Sequence, residues 1–322
     1  LFGEIEMPLK VEPILPRFGA ECSGLDLARP LAPEEVTQVT DAMDAWGITV
    51  WRDTGMNDEQ HVEFSRNFGF LERVPQREGM KMRLPFRELF DASNLNAHGE
   101  ITQDPAAIQY RKGDRLWHTD SAFLEKRTSY SILLAHQVPE EGGETSFADT
   151  RSAYDDLPQD MKDFLEDKVG LNSLWWSRKM AGADISDEEI EERPRARHPL
   201  VHVHKGSGRK ALFIAAHTMD IEGMDKAEGR KLIRDLIEHC TQPQYVFSVK
   251  WHAGDMVIWD NLCSMHRGGE YDYANEKRDM RRTTVREGTE PHTMESGDDP
   301  YTELFARSPK VVDIQHARSA GR

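Results

Sequence analysis

An imidazole and a carboxylate stand two residues apart in Leu116-Trp117-His118-Thr119-Asp120. A second imidazole, His266, ends the run Trp259-Asp260-Asn261-Leu262-Cys263-Ser264-Met265-His266. Two His and one Asp form the facial ligand set of a non-heme Fe(II) centre, which leaves metal positions open for a cosubstrate and molecular oxygen. A His-x-Asp tripeptide alone is common by chance, so its weight here comes from its surroundings. Twelve positions beyond His266 (278 − 266 = 12) begins Arg278-Asp279-Met280-Arg281-Arg282-Thr283-Thr284-Val285. Residues four apart on a strand share a face, so Arg278 and Arg282 are expected to point inward and Arg281 outward. Such a pair answers a chemical need. An oxo acid that chelates iron through its keto and adjacent carboxylate oxygens leaves its far carboxylate in a partly dry pocket, where an unpaired charge is costly. The planar fork of Arg grips a carboxylate with two parallel bonds. One Arg would hold the oxo acid and the other an anionic substrate.

These groups need a frame. Residues 33–46 carry Val36, Val39, Met43 and Trp46 near helical spacing, and Gly47 ends that run. Ile48-Thr49-Val50-Trp51 reads as a strand, and Asn57 as the N-cap of a second helix bearing His61, Phe64, Ser65 and Phe68, stopped by Gly69. From Arg73 to Asp114 the pattern is irregular, as expected of long loops over a pocket. Strands are predicted near residues 130–136, 200–204, 211–215, 245–251, 256–259 and 282–285. Helical insertions are predicted near 161–166, 188–192 and 226–240. Many short strands with helices outside the pattern predict a mainly β fold of the sandwich or jelly-roll kind rather than alternating βαβ units. Gly206-Ser207-Gly208 lies between two strands and reads as a hairpin turn, not as a nucleotide loop.

Composition narrows the class. At 322 residues, 38% hydrophobic and 30% charged, the chain is of ordinary globular make-up with enough length for a generous core. The formal charge of −16 argues against a nucleic-acid partner, whose phosphates would be repelled. It also means that an anionic substrate must be captured by local cations. No apolar run suits a bilayer, so no membrane association is expected. Cys22, Cys240 and Cys263 are few, odd in number and widely spaced, which predicts a reducing compartment, the cytoplasm by default, and no disulfide framework. Residues 1–287 are expected to form one domain and residues 288–322 a polar surface extension.

The segments WHTDSAF, YSILLAHQVPEEGGETSFADTRSAYDDLP, HPLVHVHKGSGRKALFIAAH, WDNLCSMHRGGEYD and RDMRRTTV occur in this order. Together they resemble the taurine/2,4-dichlorophenoxyacetate dioxygenase family over most of the chain, from about Leu15 to Val285. SGRKALFI and MHRGGEYD are closer to the phenoxyacetate branch. The resemblance implies a double-stranded β-helix (jelly roll, cupin-like) with flanking and inserted helices, Fe(II), 2-oxoglutarate as cosubstrate, and oxygen. It implies metal ligands at His118, Asp120 and His266, 2-oxoglutarate contacts at Thr145 and Arg278, and a substrate-anion contact at Arg282. The stretch 271–277 carries one residue more than the family pattern, so the Arg assignments rest on alignment of the Arg-x-x-x-Arg-Thr-Thr signature.

Blander readings stand beside these. Thr145 can simply cap the turn after Gly142-Gly143, Arg278 can pair with Glu276 or Asp279, and Arg282 can form a structural ion pair. His217, just past a strand end, is within reach of a substrate pocket. His202 and His204, two apart on a strand, are more often hydrogen-bonded than metal-bound. Trp175 and Trp176 are candidates to line the cavity, with core packing the stronger expectation for at least one. The expected function is hydroxylation of a small anionic organic substrate, an aryloxyalkanoate or similar aromatic acid whose ether is cleaved after hydroxylation, as in aromatic acid catabolism. An alkylsulfonate dioxygenase and a non-catalytic cupin-like sensor of metal and small acid are the alternatives. A zinc hydrolase is disfavoured because no spare carboxylate base accompanies the triad. Assembly into a homo-oligomer is compatible with the sequence.

Overall fold

Ile132 and Leu134 alternate with Leu133 and Ala135, so this strand presents an apolar side chain each way and must be covered on both faces. The structure, a computed structural model, describes residues 9–74 and 82–293. Its strands in chain order are β1 (Lys10–Pro13), β2 (Ala20–Ser23), β3 (Ile48–Trp51), β4 (Phe90–Asp91), β5 (Thr128–Gln137), β6 (Thr145–Asp149), β7 (Val169–Asn172), β8 (Ala196–Pro199), β9 (Val201–Val203), β10 (Lys210–Leu212), β11 (Thr218–Ile221), β12 (Val246–Val249), β13 (Met256–Asp260), β14 (Ser264–Gly268) and β15 (Asp279–Arg286). The helices are α1 (Pro33–Trp46), α2 (Asp58–Arg66), α3 (Pro105–Arg111), α4 (Thr150–Asp155), α5 (Gln159–Leu165), α6 (Leu174–Met180), α7 (Asp187–Glu191) and α8 (Lys226–Cys240). The result is a mixed α/β fold.

Seven strands form one sheet in the order β1-β2-β3-β13-β5-β15-β4, antiparallel except between β2 and β3. Three more, β12-β6-β14, form a smaller sheet. Phe147, Phe247 and Val249 of the small sheet pack with Val50, Leu133, Val257, Trp259 and Met280 of the large one, so the two sheets face each other across an apolar core. Ile132, Leu134, Met256 and Ile258 point the opposite way, onto Val39 and Met43 of α1 and Val62 and Phe64 of α2. On the outer face of the small sheet, Ala148 and Met265 are covered by Ile233, Leu236 and Cys240 of α8. Both sheets are thus sandwiched by helices, and the space between them is where buried polar groups can be held.

Local chemistry sets the elements. Pro33 opens α1 and Gly47, at φ +72°, closes it. Asn57 caps α2 by accepting from Gln60 N at 2.9 Å, and Gln60 returns a bond to Asn57 N at 2.9 Å. Gly206-Ser207-Gly208 joins β9 to β10 as a hairpin. After β13, Asp260 turns the chain: its carboxylate accepts from Leu262 N at 2.7 Å and its carbonyl from Ser264 Oγ at 2.6 Å. That turn carries the chain from the large sheet into the small one and delivers β14.

Several expectations need correction. The stretch from Arg73 to Asp114 is not wholly irregular, since it holds β4, α3 and the start of a 3-10 turn at Lys112–Arg115. Helix α6 falls where no helix was expected. Residues 75–81 of the pocket loop, and the extension beyond residue 293, lie outside the described residues. Among the described residues no helix is long and apolar enough to cross a membrane.

An ionic cluster ties the loop before β4 to β15. Arg83 makes two bonds to Asp279, at 2.7 and 3.0 Å, and two to Asp91, at 2.7 and 2.8 Å, while Arg281 adds a bond to Asp279 at 3.0 Å. Burial raises the Asp279 pKa, but Arg83 and Arg281 outweigh it and bring it from 3.8 to about 2. A depressed carboxylate pKa contributes stability that is present above 3.8 and is lost as pH falls toward 2. Asp279→Asn is therefore expected to cost about 1–2 kcal/mol at pH 7, allowing for solvent screening. The difference from wild type should narrow between pH 4 and 3 in denaturant titrations. A difference independent of pH would refute this account.

Candidate metal centre and active-site cavity

His118 lies outside any regular strand. It forms an isolated antiparallel bridge with His266 of β14, in which His118 N donates to His266 O at 2.9 Å and His266 N to His118 O at 2.8 Å. The two ring centroids are 4.1 Å apart. His118 Nδ1 donates to the Leu116 carbonyl at 2.7 Å, which fixes the tautomer whose Nε2 carries the free lone pair. His266 presents Nε2 to Asp120 Oδ2 at 3.6 Å, and its buried Nδ1 has no hydrogen-bond partner among the described residues. One ligand atom each from His118, Asp120 and His266 lies within 4.8 Å of the others, and all three residues are buried. Two imidazoles and a carboxylate at that spacing match the donor set of a divalent first-row metal.

Asp120 is positioned by groups that the sequence motif did not single out. Ser131 Oγ of β5 donates to Asp120 Oδ2 at 2.7 Å. Asn261, in the turn after β13, donates to Ser131 Oγ at 3.0 Å and accepts from Asp120 N at 3.1 Å. It also accepts from Trp259 Nε1 at 3.2 Å. The other carboxylate oxygen, Oδ1, is ion-paired with Arg282 Nη1. Burial pushes the Asp120 pKa up, but Arg282, His266, His118 and the Ser131 hydroxyl together hold it well below the usual carboxylate range. The group is thus kept as an anion, the form a cation requires.

A cavity of about 180 Å³ adjoins the three side chains. Arg278, just before β15, and the inward positions Arg282 and Thr284 of that strand line it, while Arg281 turns away to Asp58 and Asp279. Thr145, at the head of β6, lines it too, its hydroxyl accepting from Trp251 Nε1 at 3.0 Å. Among the described residues the Arg278 side chain donates to backbone carbonyls alone, to Gly143 O at 3.3 Å and Ala92 O at 3.5 Å. Glu276 does not pair with it; that carboxylate accepts from Glu140 N at 2.7 Å instead. Burial lowers the Arg278 pKa below its ordinary value. His217 is buried in the cavity wall, 6.2 Å from the His118 ring and 5.1 Å from Phe123 between centroids. Burial, then His118 and Arg178, push its pKa well down, so the ring is neutral. Phe90, Phe123, Leu133, Tyr110 and Val74 supply an apolar lining.

Other candidates lie elsewhere. Trp175 is buried with Leu174, Ile190 and Met219, and Trp176 packs at the edge of that cluster, so neither lines the cavity. His202 Nε2 donates to Leu262 O at 2.7 Å. His204 is hydrogen-bonded too, as expected. Its Nε2 donates to Asp260 Oδ2 at 2.8 Å and its Nδ1 accepts from Ser207 N at 3.2 Å. With both nitrogens engaged, that pair braces the turn before β14, although Cys263 lies close by.

The chain matches the family model "Taurine catabolism dioxygenase TauD, TfdA family" over residues 10–284. It is 39% identical over 285 residues to an alpha-ketoglutarate-dependent 2,4-dichlorophenoxyacetate dioxygenase of Cupriavidus pinatubonensis, covering 87% of this chain and 98% of that one. It is 30% identical to an (S)-phenoxypropionate/alpha-ketoglutarate-dioxygenase of Sphingobium herbicidovorans, covering 83% and 91% respectively. Among solved structures, AAD-2 in complex with Mn(II) and N-oxalylglycine superposes with a TM-score of 0.79 at 40% identity, covering 89% of this chain and 100% of that one. The chain belongs to the TauD, TfdA family of dioxygenases.

Proposed function

We propose that this protein is an Fe(II)- and 2-oxoglutarate-dependent dioxygenase that hydroxylates a small aryloxyalkanoate or an aromatic acid of similar shape. The observation that carries the proposal is a buried set of two His and one Asp beside a cavity that combines guanidinium groups with aromatic walls. His118, Asp120 and His266 would hold the metal. Arg278, with no carboxylate in ion-pair contact among the described residues, would take the far carboxylate of 2-oxoglutarate, assisted by Thr145. Arg282 would bring positive charge to the substrate's anionic end, and His217 would contact the substrate from the other wall. The facing seven- and three-stranded sheets support reading the core as a double-stranded β-helix. Residues 1–287 would then form one domain, residues 288–322 a surface extension, and three buried free cysteines favour the cytoplasm.

When bound, the iron supplies an oxygen-activating centre, and 2-oxoglutarate supplies two electrons as it is converted to succinate and carbon dioxide. The chain's own residues position and protect. Ser131, Asn261 and Arg282 keep Asp120 ionised and oriented. Phe90, Phe123 and Leu133 exclude water and offer an aryl ring an apolar wall. That lining favours an aryloxy acid over a small alkylsulfonate. Hydroxylation of a carbon bearing an ether oxygen gives a hemiacetal. Its collapse returns the electron pair to the aryl oxygen and releases a phenol and a carbonyl acid.

The reading is tested by succinate release over a panel of aryloxy acids, aromatic acids and alkylsulfonates; the aryloxy acids should stimulate it most. No stimulation by any aryloxy acid would reject the substrate assignment. His118→Ala should abolish both succinate release and the anaerobic visible band that Fe(II) and 2-oxoglutarate give with wild type. A retained band would remove the ligand role. Arg278→Ala should raise KM for 2-oxoglutarate roughly 30- to 100-fold, the size of a lost charge-assisted bond. Arg282→Ala should instead raise the substrate's KM more than that for 2-oxoglutarate. Equal effects of either variant on both constants would count against the division of labour.

A further inference from the structure

A second cavity, of about 310 Å³, adjoins the one that holds the metal-binding side chains. The two share Ala92, Asp114, Gly268 and Arg278 in their walls. From that border the second cavity runs out to the exposed residues Gln103, Lys112, Arg115 and Ala274. Gly268 stands two residues beyond His266 on β14, so its vacant side-chain position shares that imidazole's face. Beyond its chain neighbours, a Cβ built there would meet a single atom within 4 Å, Asp114 O at 3.6 Å. The border is therefore unfilled by side chains at that point.

Charge separates the two cavities. Among the described residues, four guanidiniums and four carboxylates line the metal-side cavity. In the second, Arg111, Lys112, Arg115 and Arg278 stand against the single carboxylate of Asp114. Arg111 donates to the Asp91 carbonyl at 3.2 Å, and Arg115 pairs at 3.0 Å with Glu270, an exposed carboxylate whose pull water screens. Tyr273 Oη is buried without a hydrogen-bond partner among the described residues, and an arriving carboxylate would accept from it. The side-chain bonds of Arg278 are long, at 3.3 and 3.5 Å, and so are readily exchanged for a carboxylate. In a chain of net charge −16, a local excess of cations near the surface concentrates small anions there. We propose that the second cavity is the entrance for 2-oxoglutarate, in which Arg111, Lys112 and Arg115 collect this short dicarboxylate and deliver it to Arg278. The inference rests on the function proposed above. Each acid then has its own side: Arg278 borders both cavities, whereas Arg282, His217, Phe90 and Phe123 line the metal-side cavity alone. The cosubstrate can thus arrive, and succinate leave, with an aryloxy acid in place.

Association is read anaerobically by stopped flow, from growth of the visible band when 2-oxoglutarate is mixed with the Fe(II)-loaded protein. Lys112→Glu/Arg115→Glu changes exposed side chains only, so the variant should fold. It should slow association about tenfold at low ionic strength, and the gap should close to about twofold at about 0.5 M salt. Ala274→Trp adds bulk at the exposed rim and no charge. Association and dissociation should both slow about fivefold and Kd stay within about twofold, since a narrowed path alters rates and not the bound state. With wild type already saturated with phenoxyacetate, association should stay within about twofold of its rate without it. Slowing of about tenfold or more there would put both acids through one opening and overturn the proposal. Rates left unchanged by both variants would overturn it too, as would a rise in Kd that accounts for the whole effect of Ala274→Trp. Absence of the band in wild type overturns the functional reading itself, whereas a normal band with unaltered rates removes the entrance alone.

Discussion

Two main-chain hydrogen bonds, between His118 and His266, are the constraint on which the site depends. They join parts of the chain 148 residues apart (266 − 118 = 148), and closing so long a loop is entropically costly. The cost is borne by the sheets: β14 is already fixed by pairing with β6, and the segment after His118 by bonds to Asn261 and Ser131. Because the bridge is backbone to backbone, it holds the imidazoles close whatever occupies the space between them. Asp120 follows two residues later, and Ser121, at φ +53°, turns the chain after it.

Electrostatics then dictate the character of the cavity. A chain of net charge −16 must gather cations wherever it is to receive an anion. Strand alternation puts Arg282 and Thr284 on the inner face of β15 and Arg281 on the outer one, and Arg278, just before the strand, joins them in the cavity wall. The inner cations serve different ends of the cavity. Arg282 is paired with Asp120, and Arg278 with the carbonyls of Ala92 and Gly143. Partial burial makes each of these charges expensive to leave unmatched.

The parts legible in the sequence were those with strong local signals. Helix α1 begins at Pro33 and ends before Gly47, and α2 follows its Asn57 cap, because capping and periodicity need no distant partner. The alternation on β15 was legible for the same reason. Helix α6 was not, since Leu174-Trp175-Trp176 gives no clear period and its burial depends on Ile190 and Met219 far along the chain. The partner of His204 was not legible either, because Asp260 is 56 residues away in sequence yet 2.8 Å away in space.

By itself the sequence determined the kinds of chemistry available: two imidazoles and a carboxylate for a metal, paired guanidiniums for acids, and strands enough to enclose them. These follow from residue type and short-range spacing, which the backbone's own geometry translates into faces and turns. Only the tertiary structure decided which of many His, Asp and Arg side chains meet. That choice depends on sheet pairing and on the packing of Trp259, Phe147 and Leu133 between the sheets, interactions that join residues with no fixed separation along the chain. Ser131 and Asn261 gain their significance there, from neighbours that no local pattern specifies.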